Sequence, residues 1–535
     1  MRSPVVGVGV SLGVSAGVGA GKDGTLADFA AVGDRRVSLA LLRERGARLA
    51  SALAAEGIGE DDSVALLMRN DLCLLETMIA TAQLGAYLVP INWHQKGEEV
   101  RFILEDSGAK VLLAHADLLA AVPGAVPDGV RVFAAPTPPE LARSYGVAAE
   151  QCAIAPGVAA LDALIAAQAP MTDTTRVGSR GSIVYTSGTT GRPKGVRRFA
   201  LEPAAARRFG ELSEQWFALR PGIRTVMAGP MYHSAPSTYT RAVLRSGGSI
   251  VLMPRFDAEA LLALIERERI SHIHMVPTMF VRLLKLPEEV RRRYDTSSLE
   301  FVIHGAAPCS RELKHAMIEW WGPVIHEYYA ATETGMVSRS SSAEWLARPG
   351  TVGKAWPGRE IRIYADDGRL LGPGEPGEIY VSLAGVPNFT YQNADAQRRE
   401  IDREGLVTNG DVGYLDEAGY LFLVDRKRDV VISGGVNIYP AEIEGALAAH
   451  PKVADSAVIG IPDEEYGEKL AAFVLLSAGE TATGDELRLF LRERMSHYKV
   501  PRQFTFVQEL PRDDSGKLMK RKLRDAYWQG REVKI

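Results

Sequence analysis

The chain has 535 residues, 46% of them apolar and 24% charged, with a formal net charge of −4. That length is enough for two or more domains around a large core, and a charge so near zero supplies no broad basic field for nucleic acid. Recognition of phosphate, if present, must therefore be local, and the three cysteines (Cys73, Cys152, Cys309), which lack paired metal-ligand spacing, fit a reducing cytosol without a disulfide framework.

Residues 4–21 are uncharged and rich in Gly and Val, with only Arg2 before them. The glycines break up any apolar helix, so the stretch does not read as a signal peptide. Residues 1–22 are expected to be a flexible extension. No run reaches the ~18 apolar residues of a membrane span, so no transmembrane segment is expected. From Ser38 the pattern alternates. Leu41–Leu53 reads as a helix, Ser63–Met68 as a strand and Cys73–Gln83 as a helix; Ala86–Ile91 and Lys110–Ala114 read as strands around a helix at Glu98–Asp106. The rhythm returns with strands at Ser249–Met253, Ile270–Val276, Phe301–Ile303 and Val324–Tyr328, and helices at Ala258–Arg267, Thr278–Leu284 and Ser310–Trp321. Two such series predict an α/β fold of two mostly parallel, doubly wound layers. Ligands of such sheets sit beyond the carboxyl ends of strands, where His304–Pro308 and Tyr328–Glu333 are expected to fall.

After about Gly358 the character changes. Ile361–Tyr364, Glu378–Ser382 and Tyr420–Val424 read as short strands of a small β-rich subdomain, with Leu371–Gly377 a turn-dense connector. A charged knot, Asp425–Asp429, precedes a final α+β unit with helices at Ala441–Ala449 and Gly484–Met495 and strands near Val453–Ile459 and Leu470–Leu476.

One stretch stands apart. Tyr185-Thr186-Ser187-Gly188-Thr189-Thr190-Gly191-Arg192-Pro193-Lys194-Gly195 packs three glycines, four aliphatic hydroxyls and two cations into eleven residues. Glycine lets main-chain N–H groups approach an anion, hydroxyls donate to phosphate oxygens, and the cations balance polyphosphate charge. The spacing is not that of a Walker A loop.

The run resembles the phosphate-binding loop of the adenylate-forming superfamily: acyl-CoA synthetases, aryl-CoA ligases, firefly-type luciferases and peptide-synthetase adenylation domains. The resemblance extends from about Ser38 to about Lys520 and returns at separated motifs in the family's order. It implies a large N-terminal domain (residues 1–427) and a small mobile C-terminal α+β domain (428–535) that carries the catalytic lysine. It also implies a two-step reaction. A carboxylate attacks the α-phosphorus of ATP and displaces pyrophosphate; a thiol then attacks the acyl carbonyl and displaces AMP. The co-substrates would be ATP, CoA and a small carboxylic acid, and the metal Mg²⁺.

The residues follow from the same resemblance. Thr186, Ser187, Gly188, Thr189, Thr190, Gly191 and Lys194 would hold the phosphates; Gly305, Ala306, Ala307 and Pro308 would hold adenine, with Tyr329 on its face. In Tyr329-Ala330-Ala331-Thr332-Glu333, Thr332 would bond a phosphate oxygen and Glu333 would bind Mg²⁺, a hard cation that prefers carboxylate and phosphate oxygens. Asp411 would accept from both ribose hydroxyls, and Arg426 would also reach the nucleotide. Lys517, in Arg512-Asp513-Asp514-Ser515-Gly516-Lys517, would bridge the acid's carboxylate and the α-phosphate. Arg428 falls on the hinge position, and Ser433, Gly434 and Gly435 resemble the loop that faces the pantetheine arm of CoA. His233 would stand beside an acyl pocket walled by Tyr232, His233, Ser237, Thr238, Ala306 and Ala330. His272 and His274 alternate in a strand and read as core or edge side chains.

Two departures stand out. Ala330 replaces the family's glycine and should narrow the acyl channel. Asp513 replaces a threonine and, placed near Lys517, should favour the protonated ammonium. The absence of an acid from Met231 to Arg245 disfavours an amino acid substrate. No carrier-protein segment follows, which favours CoA as the acceptor. The stretch Met231–Pro236 looks most like fatty-acid and bile-acid CoA ligases. An adenylation enzyme serving another acceptor, such as a carrier protein, and a nucleotide-binding regulator without catalysis are the alternatives. A cytoplasmic location is expected, and a homodimer is left open.

Overall fold

Strands form where apolar residues run uninterrupted, and helices where polar residues break the run at helical spacing. Ser63–Leu67 and His272–Met275 are buried at every position, as parallel strands covered on both faces must be. Helices start where a side chain caps them: Ser38, Asp257 and Ser310 accept from the main-chain N–H groups of Leu41, Ala260 and Leu313. The computed structural model describes residues 28–172, 180–186, 193–433, 436–463, 466–513 and 516–529. The expected extension, five of the phosphate-loop residues (Ser187, Gly188, Thr189, Thr190, Gly191) and the pair Gly434–Gly435 lie outside that set.

Among the described residues there are four sheets. One is wholly parallel, in the order Tyr87–Pro90, Ser63–Leu67, Ala109–His115, Arg131–Ala135, Ala159–Ala160. The second has 14 strands. Its parallel part runs Phe29–Val32, Ser249–Leu252, Arg224–Met227, His272–Met275, Phe301–His304, Ile325–Ala331. The ladder then turns antiparallel through Gly335–Ser340, Thr351–Ala355, Tyr420–Arg426, Leu406–Leu415, Gly377–Ser382 and Ile361–Tyr364. The β-rich region expected as a subdomain is therefore hydrogen-bonded onto the second layer. A small sheet joins Val184–Thr186, Lys194–Arg198 and Phe389–Tyr391. The last sheet, Val436–Ile438, Val431–Ser433, Gly467–Leu476, Val453–Asp463 and Gln503–Phe506, belongs to the C-terminal unit.

The two large layers share a core of Leu42, Leu49, Leu75, Met78, Trp216, Tyr239 and Ile250, and the C-terminal unit has its own, around Ile443, Leu447, Val458 and Leu487. Among the described residues no helix is long and apolar enough to cross a membrane. Among the described helices that were not anticipated, the two longest are Pro203–Trp216 and Ser234–Ser246. Both are amphipathic but rich in Ala, Ser and Arg, so their apolar stripes are thin. One expected boundary is corrected: the strand read as ending at Tyr328 continues to Ala331 and folds back as a hairpin into Gly335–Ser340. Tyr329, Ala330 and Ala331 thus lie within the strand, and only Thr332, Glu333 and Thr334 form its tip.

Candidate active site

A cleft of about 3680 Å³ lies between the large layers and the C-terminal unit. It is lined by Thr186 and Lys194 at the two ends of the phosphate-loop hairpin, by Thr332 and Glu333, by Asp411 and Arg426, and by Lys517. Thr186 and Lys194 are register partners across the strands that carry the loop. The loop's base thus opens into the cleft that holds Glu333.

The Thr332–Thr334 tip is held from behind by arginines. Arg198 donates to the carbonyls of Thr332 at 2.6 Å, Glu333 at 3.2 Å and Pro387 at 2.7 Å. Arg359 donates to the Thr334 carbonyl at 2.8 Å, and Asn409 Nδ2 to Thr334 Oγ1 at 3.2 Å. Burial brings both arginines down to about 10; Glu333 partly offsets this for Arg198, while Arg198 adds to it for Arg359. In front, the Tyr391 hydroxyl donates to Glu333 Oε1 at 3.3 Å, and burial together with the Glu333 charge raises that phenol's pKa. Lys194 Nζ lies 5.3 Å from the centre of the same ring. Thr332 Oγ1 is 3.1 Å from Ser234 Oγ. The Glu333 carboxylate and the Thr332 hydroxyl are hard oxygen donors of the kind that suits Mg²⁺.

Elsewhere along the cleft the Tyr329 hydroxyl donates to Asp411 Oδ2 at 2.6 Å, and Arg426 Nε lies 3.4 Å from Asp411 Oδ1. Burial first, then the Asp411 charge, pushes the Tyr329 phenol well up, so it stays a donor. Asp411 and Arg426 are cross-strand register partners, a pairing that strand spacing alone does not reveal. Gly305 ends the strand Phe301–His304; a Cβ there would strike the Tyr328 ring at 2.6 Å, so only glycine fits. Ala306 follows with φ 68° and is exposed to the cleft, as are Ala307 in part and Pro308. A left-handed alanine is uncommon and marks a segment held for a purpose. Behind it Lys314, fully buried, pairs with Glu327 at 2.7 Å.

His233 caps the helix Ser234–Ser246 and lies against Tyr232, with ring centres 4.4 Å apart. The loop before it is fixed by Asn70, whose Nδ2 donates to the Gly229 carbonyl and whose Oδ1 accepts from Met231 N–H. Tyr232, His233, Ser237, Thr238, Ala306 and Ala330 all line the cleft. It continues inward past Phe209, Trp216 and Phe217 to Leu42, Met78 and Ile79. His274 and His272 are buried, as expected; His274 Nε2 meets the Tyr328 hydroxyl at 2.8 Å and His272 Nε2 meets the Ala218 carbonyl at 2.9 Å.

The Lys517 loop is built within the C-terminal unit. Arg512 grips Asp455 with Nε and Nη2 at 2.9 and 2.8 Å and donates to the Gly516 carbonyl at 2.6 Å. Asp513 Oδ1 accepts from the main-chain N–H of Lys517 at 3.0 Å. Asp513, expected to act on the ammonium through its charge, thus also pins the loop's backbone. Arg428 sits in the single 3-10 turn Lys427–Asp429 that links the two units. Ser433 ends its strand and is not among the described residues lining the cleft.

One further cluster of donor atoms occurs among the described residues: Asp71, Cys73 and His115. His115 Nδ1 accepts from Arg69 N–H at 3.2 Å, which leaves the ring proton on Nε2, 3.3 Å from Asp71 Oδ2. Burial alone would raise the Asp71 carboxyl, but His115 and Arg35 hold it down at about 2. That is a hydrogen-bonded network with its imidazole proton where a metal would bind.

Arg198, Arg359, Asn70 and Tyr391 were not anticipated as site residues. Arg198 follows Lys194 by four residues in a strand, the only signal the sequence carried.

Comparison with known proteins points to one family. The family model described as AMP-binding enzyme matches residues 23–387, and that described as AMP-binding enzyme C-terminal domain matches residues 442–517. The indoleacetate–CoA ligase of Aromatoleum aromaticum is 33% identical over 492 residues, covering 91% of this chain and 92% of that protein. A long-chain-fatty-acid–CoA ligase of Mycobacterium tuberculosis is 32% identical over 501 residues, covering 92% and 94%. The solved structure of o-succinylbenzoate CoA synthetase from Bacillus subtilis in complex with its acyl-adenylate intermediate matches with a TM-score of 0.77 at 28% identity, over 94% of this chain and 96% of that one.

Proposed function

The chain belongs to the AMP-binding enzyme family and is a ligase of its acyl-CoA-forming kind; from that premise we propose how its residues divide the work. In the first half-reaction a carboxylic acid attacks the α-phosphorus of ATP, giving an acyl-adenylate and pyrophosphate. Two anions must meet, so the protein's task is positive charge and alignment. Lys194 and the loop around Gly188 and Gly191 hold the β- and γ-phosphates. Lys517 bridges the carboxylate and the α-phosphate. Asp411 accepts from the ribose hydroxyls, with Tyr329 against adenine and Ala306 to Pro308 along its edge. Thr332 bonds a phosphate oxygen, and Glu333 would hold Mg²⁺, which when bound neutralises charge on the leaving pyrophosphate.

In the second half-reaction the thiol of CoA attacks the acyl carbonyl, and AMP leaves with the electron pair. Lys517 is among the residues lining the cleft, and Ser433 is not. We therefore place the domain boundary at 427/428 and assign Arg428 as the hinge about which the small domain turns, withdrawing Lys517 and bringing Ser433, Gly434 and Gly435 to the pantetheine arm. The acyl pocket, walled by Tyr232, His233, Ser237, Thr238 and Ala330 and continuing past Trp216 and Phe217 to Leu42 and Met78, supports an acid with an apolar tail: fatty, aryl or alicyclic. We assign the reaction to the cytoplasm.

The observation that carries this reading is the convergence of Lys194, Thr332, Glu333, Asp411, Arg426 and Lys517 on one cleft from two separately cored units. A panel of carboxylic acids, assayed for acid-dependent pyrophosphate release and for CoA thioesters, tests it. Pyrophosphate without thioester would move the acceptor to another thiol; neither product with any acid would end the proposal.

A further inference from the structure

The reading above leaves open what sets the depth to which the Lys517 loop enters the cleft, and the structure points to one side chain. Gly516, immediately before Lys517, has φ 79°. A Cβ built on it would lie 2.4 Å from Oγ1 of Thr278 and 2.7 Å from its Cγ2. Those distances mean that the loop's backbone rests directly on the Thr278 side chain. Thr278 belongs to the large unit, in the first turn of the helix Pro277–Leu284, and it lines the cleft. Gly516 and Lys517 are tied down by their own unit: Arg512 holds the Gly516 carbonyl, Asp513 holds Lys517 N–H, and Gly516 N–H donates to the Asp513 carbonyl at 2.8 Å. A backbone so tied, and seated on one side chain, stops where that side chain stops it.

We propose that Thr278 is a positioning residue for the first half-reaction: its side chain is the seat against which Gly516 docks, and its volume sets how far Lys517 reaches. The inference rests on the two-step reading with a mobile small domain. In the second half-reaction the loop has swung off its seat, so the same side chain then bears on nothing that reacts. Thr278 touches neither phosphate nor acid in this account; it acts through Gly516.

The test measures the two half-reactions apart. Thr278→Leu, which thickens the seat, and Gly516→Ala, which puts a methyl where Thr278 stands, should each lower acid-dependent pyrophosphate release about a hundredfold, the cost of an ångström of misplacement. Each should leave CoA transfer from supplied acyl-adenylate within about threefold of the parent. The double variant Gly516→Ala/Thr278→Ala removes the two nearest of the three atoms the new methyl would meet, leaving only Cβ at 3.1 Å, and should recover about tenfold over Gly516→Ala alone, the part of the loss that belongs to the contact. Loss of both half-reactions together, unchanged pyrophosphate release, or a double variant no better than Gly516→Ala would each overturn the proposal. Should Thr278→Leu fail to fold by circular dichroism, the Gly516 pair decides. If the parent itself releases no pyrophosphate with any acid, it is the functional reading that has failed, a result distinct from all of these.

Discussion

His274 and His326 lie on strands to either side of Phe301–His304 in the second sheet, and each should make the protein less stable in mild acid. Burial holds His274 down to about 4; burial, then the charges of Arg339 and Lys314, holds His326 down to about 4. Unfolded, both titrate near 6.5. A depressed folded value means that the unfolded chain takes up protons first, so stability is complete above about pH 7, begins to fall as pH drops through 6.5, and has lost its full increment below about 4. Between pH 7.5 and 5.5 each imidazole then costs about 1.3 kcal/mol, roughly 2.6 kcal/mol for the two, a large part of a typical folding free energy. Glu327 and Glu76 have carboxyl pKa values raised by burial and partly offset by Lys314 and Arg45, so they change stability in the opposite sense. The parent's own slope is thus a mixture, and a comparison isolates the histidines. Urea unfolding of the parent and of His274→Asn/His326→Asn at the two pH values, followed by tryptophan fluorescence, should show the double variant losing about 2.6 kcal/mol less than the parent over that interval. An identical loss in both proteins would mean that these histidines do not titrate between folded and unfolded states, and the burial argument would fall. The cleft is involved too, because His274 holds the Tyr328 hydroxyl and Tyr328 covers Gly305.

The other predictions concern catalysis. Lys517→Ala should raise the barrier to acyl-adenylate formation by ~3–5 kcal/mol, the loss of one transition-state charge contact, while CoA transfer from supplied acyl-adenylate persists; equal loss in both halves would contradict the assigned role. Arg428→Pro should do the reverse by stiffening the link between the units, so intact thioester formation in that variant would remove Arg428 from the hinge. Arg198→Lys gathers its donors on one nitrogen in place of the two, Nη1 and Nη2, that reach Pro387 and the Thr332–Glu333 carbonyls, and kcat/KM for Mg·ATP should fall by the equivalent of about 1–3 kcal/mol; unchanged kinetics would show that the Thr332–Thr334 tip holds itself. Ala330→Gly should shift preference in an acid panel toward bulkier acids by about 1 kcal/mol, the worth of one methyl in a pocket, and an unshifted ranking would place Ala330 off the acyl path.

Much of this was legible in the sequence because it is local. Parallel strands such as Ser63–Leu67 announce themselves as apolar runs, and the strand–helix rhythm dictated two layers. Boundaries failed where pairing overrode pattern: Tyr329 to Ala331 look like a loop after a strand, yet a returning strand, Gly335–Ser340, keeps them in the ladder. Lys194, Glu333, Asp411 and Lys517 were identifiable because each sits in a recognisable local run. Arg198 and Arg359 were not, because an arginine that bonds carbonyls 134 and 25 residues away in sequence leaves no local trace. Nor does Thr278, whose importance lies in a glycine from another unit. The two long C-terminal strands, Val453–Asp463 and Gly467–Leu476, were legible and the three short ones beside them were not; which of their loops would face the cleft is a matter of domain orientation, which no periodicity encodes.

The two guanidinium groups behind Glu333 have a consequence of their own. Among the described residues the hydrogen bonds of Arg198 end on main-chain carbonyls, and Nε and Nη1 of Arg359 have no partner. With Glu333 offsetting the burial of Arg198 only in part, this corner of the enzyme holds more positive charge than negative, a tension that a polyanion in front of it relieves. Pyrophosphate alone, with no acid and no adenosine, should raise the melting temperature of this protein, and the departing product should be a stubborn guest.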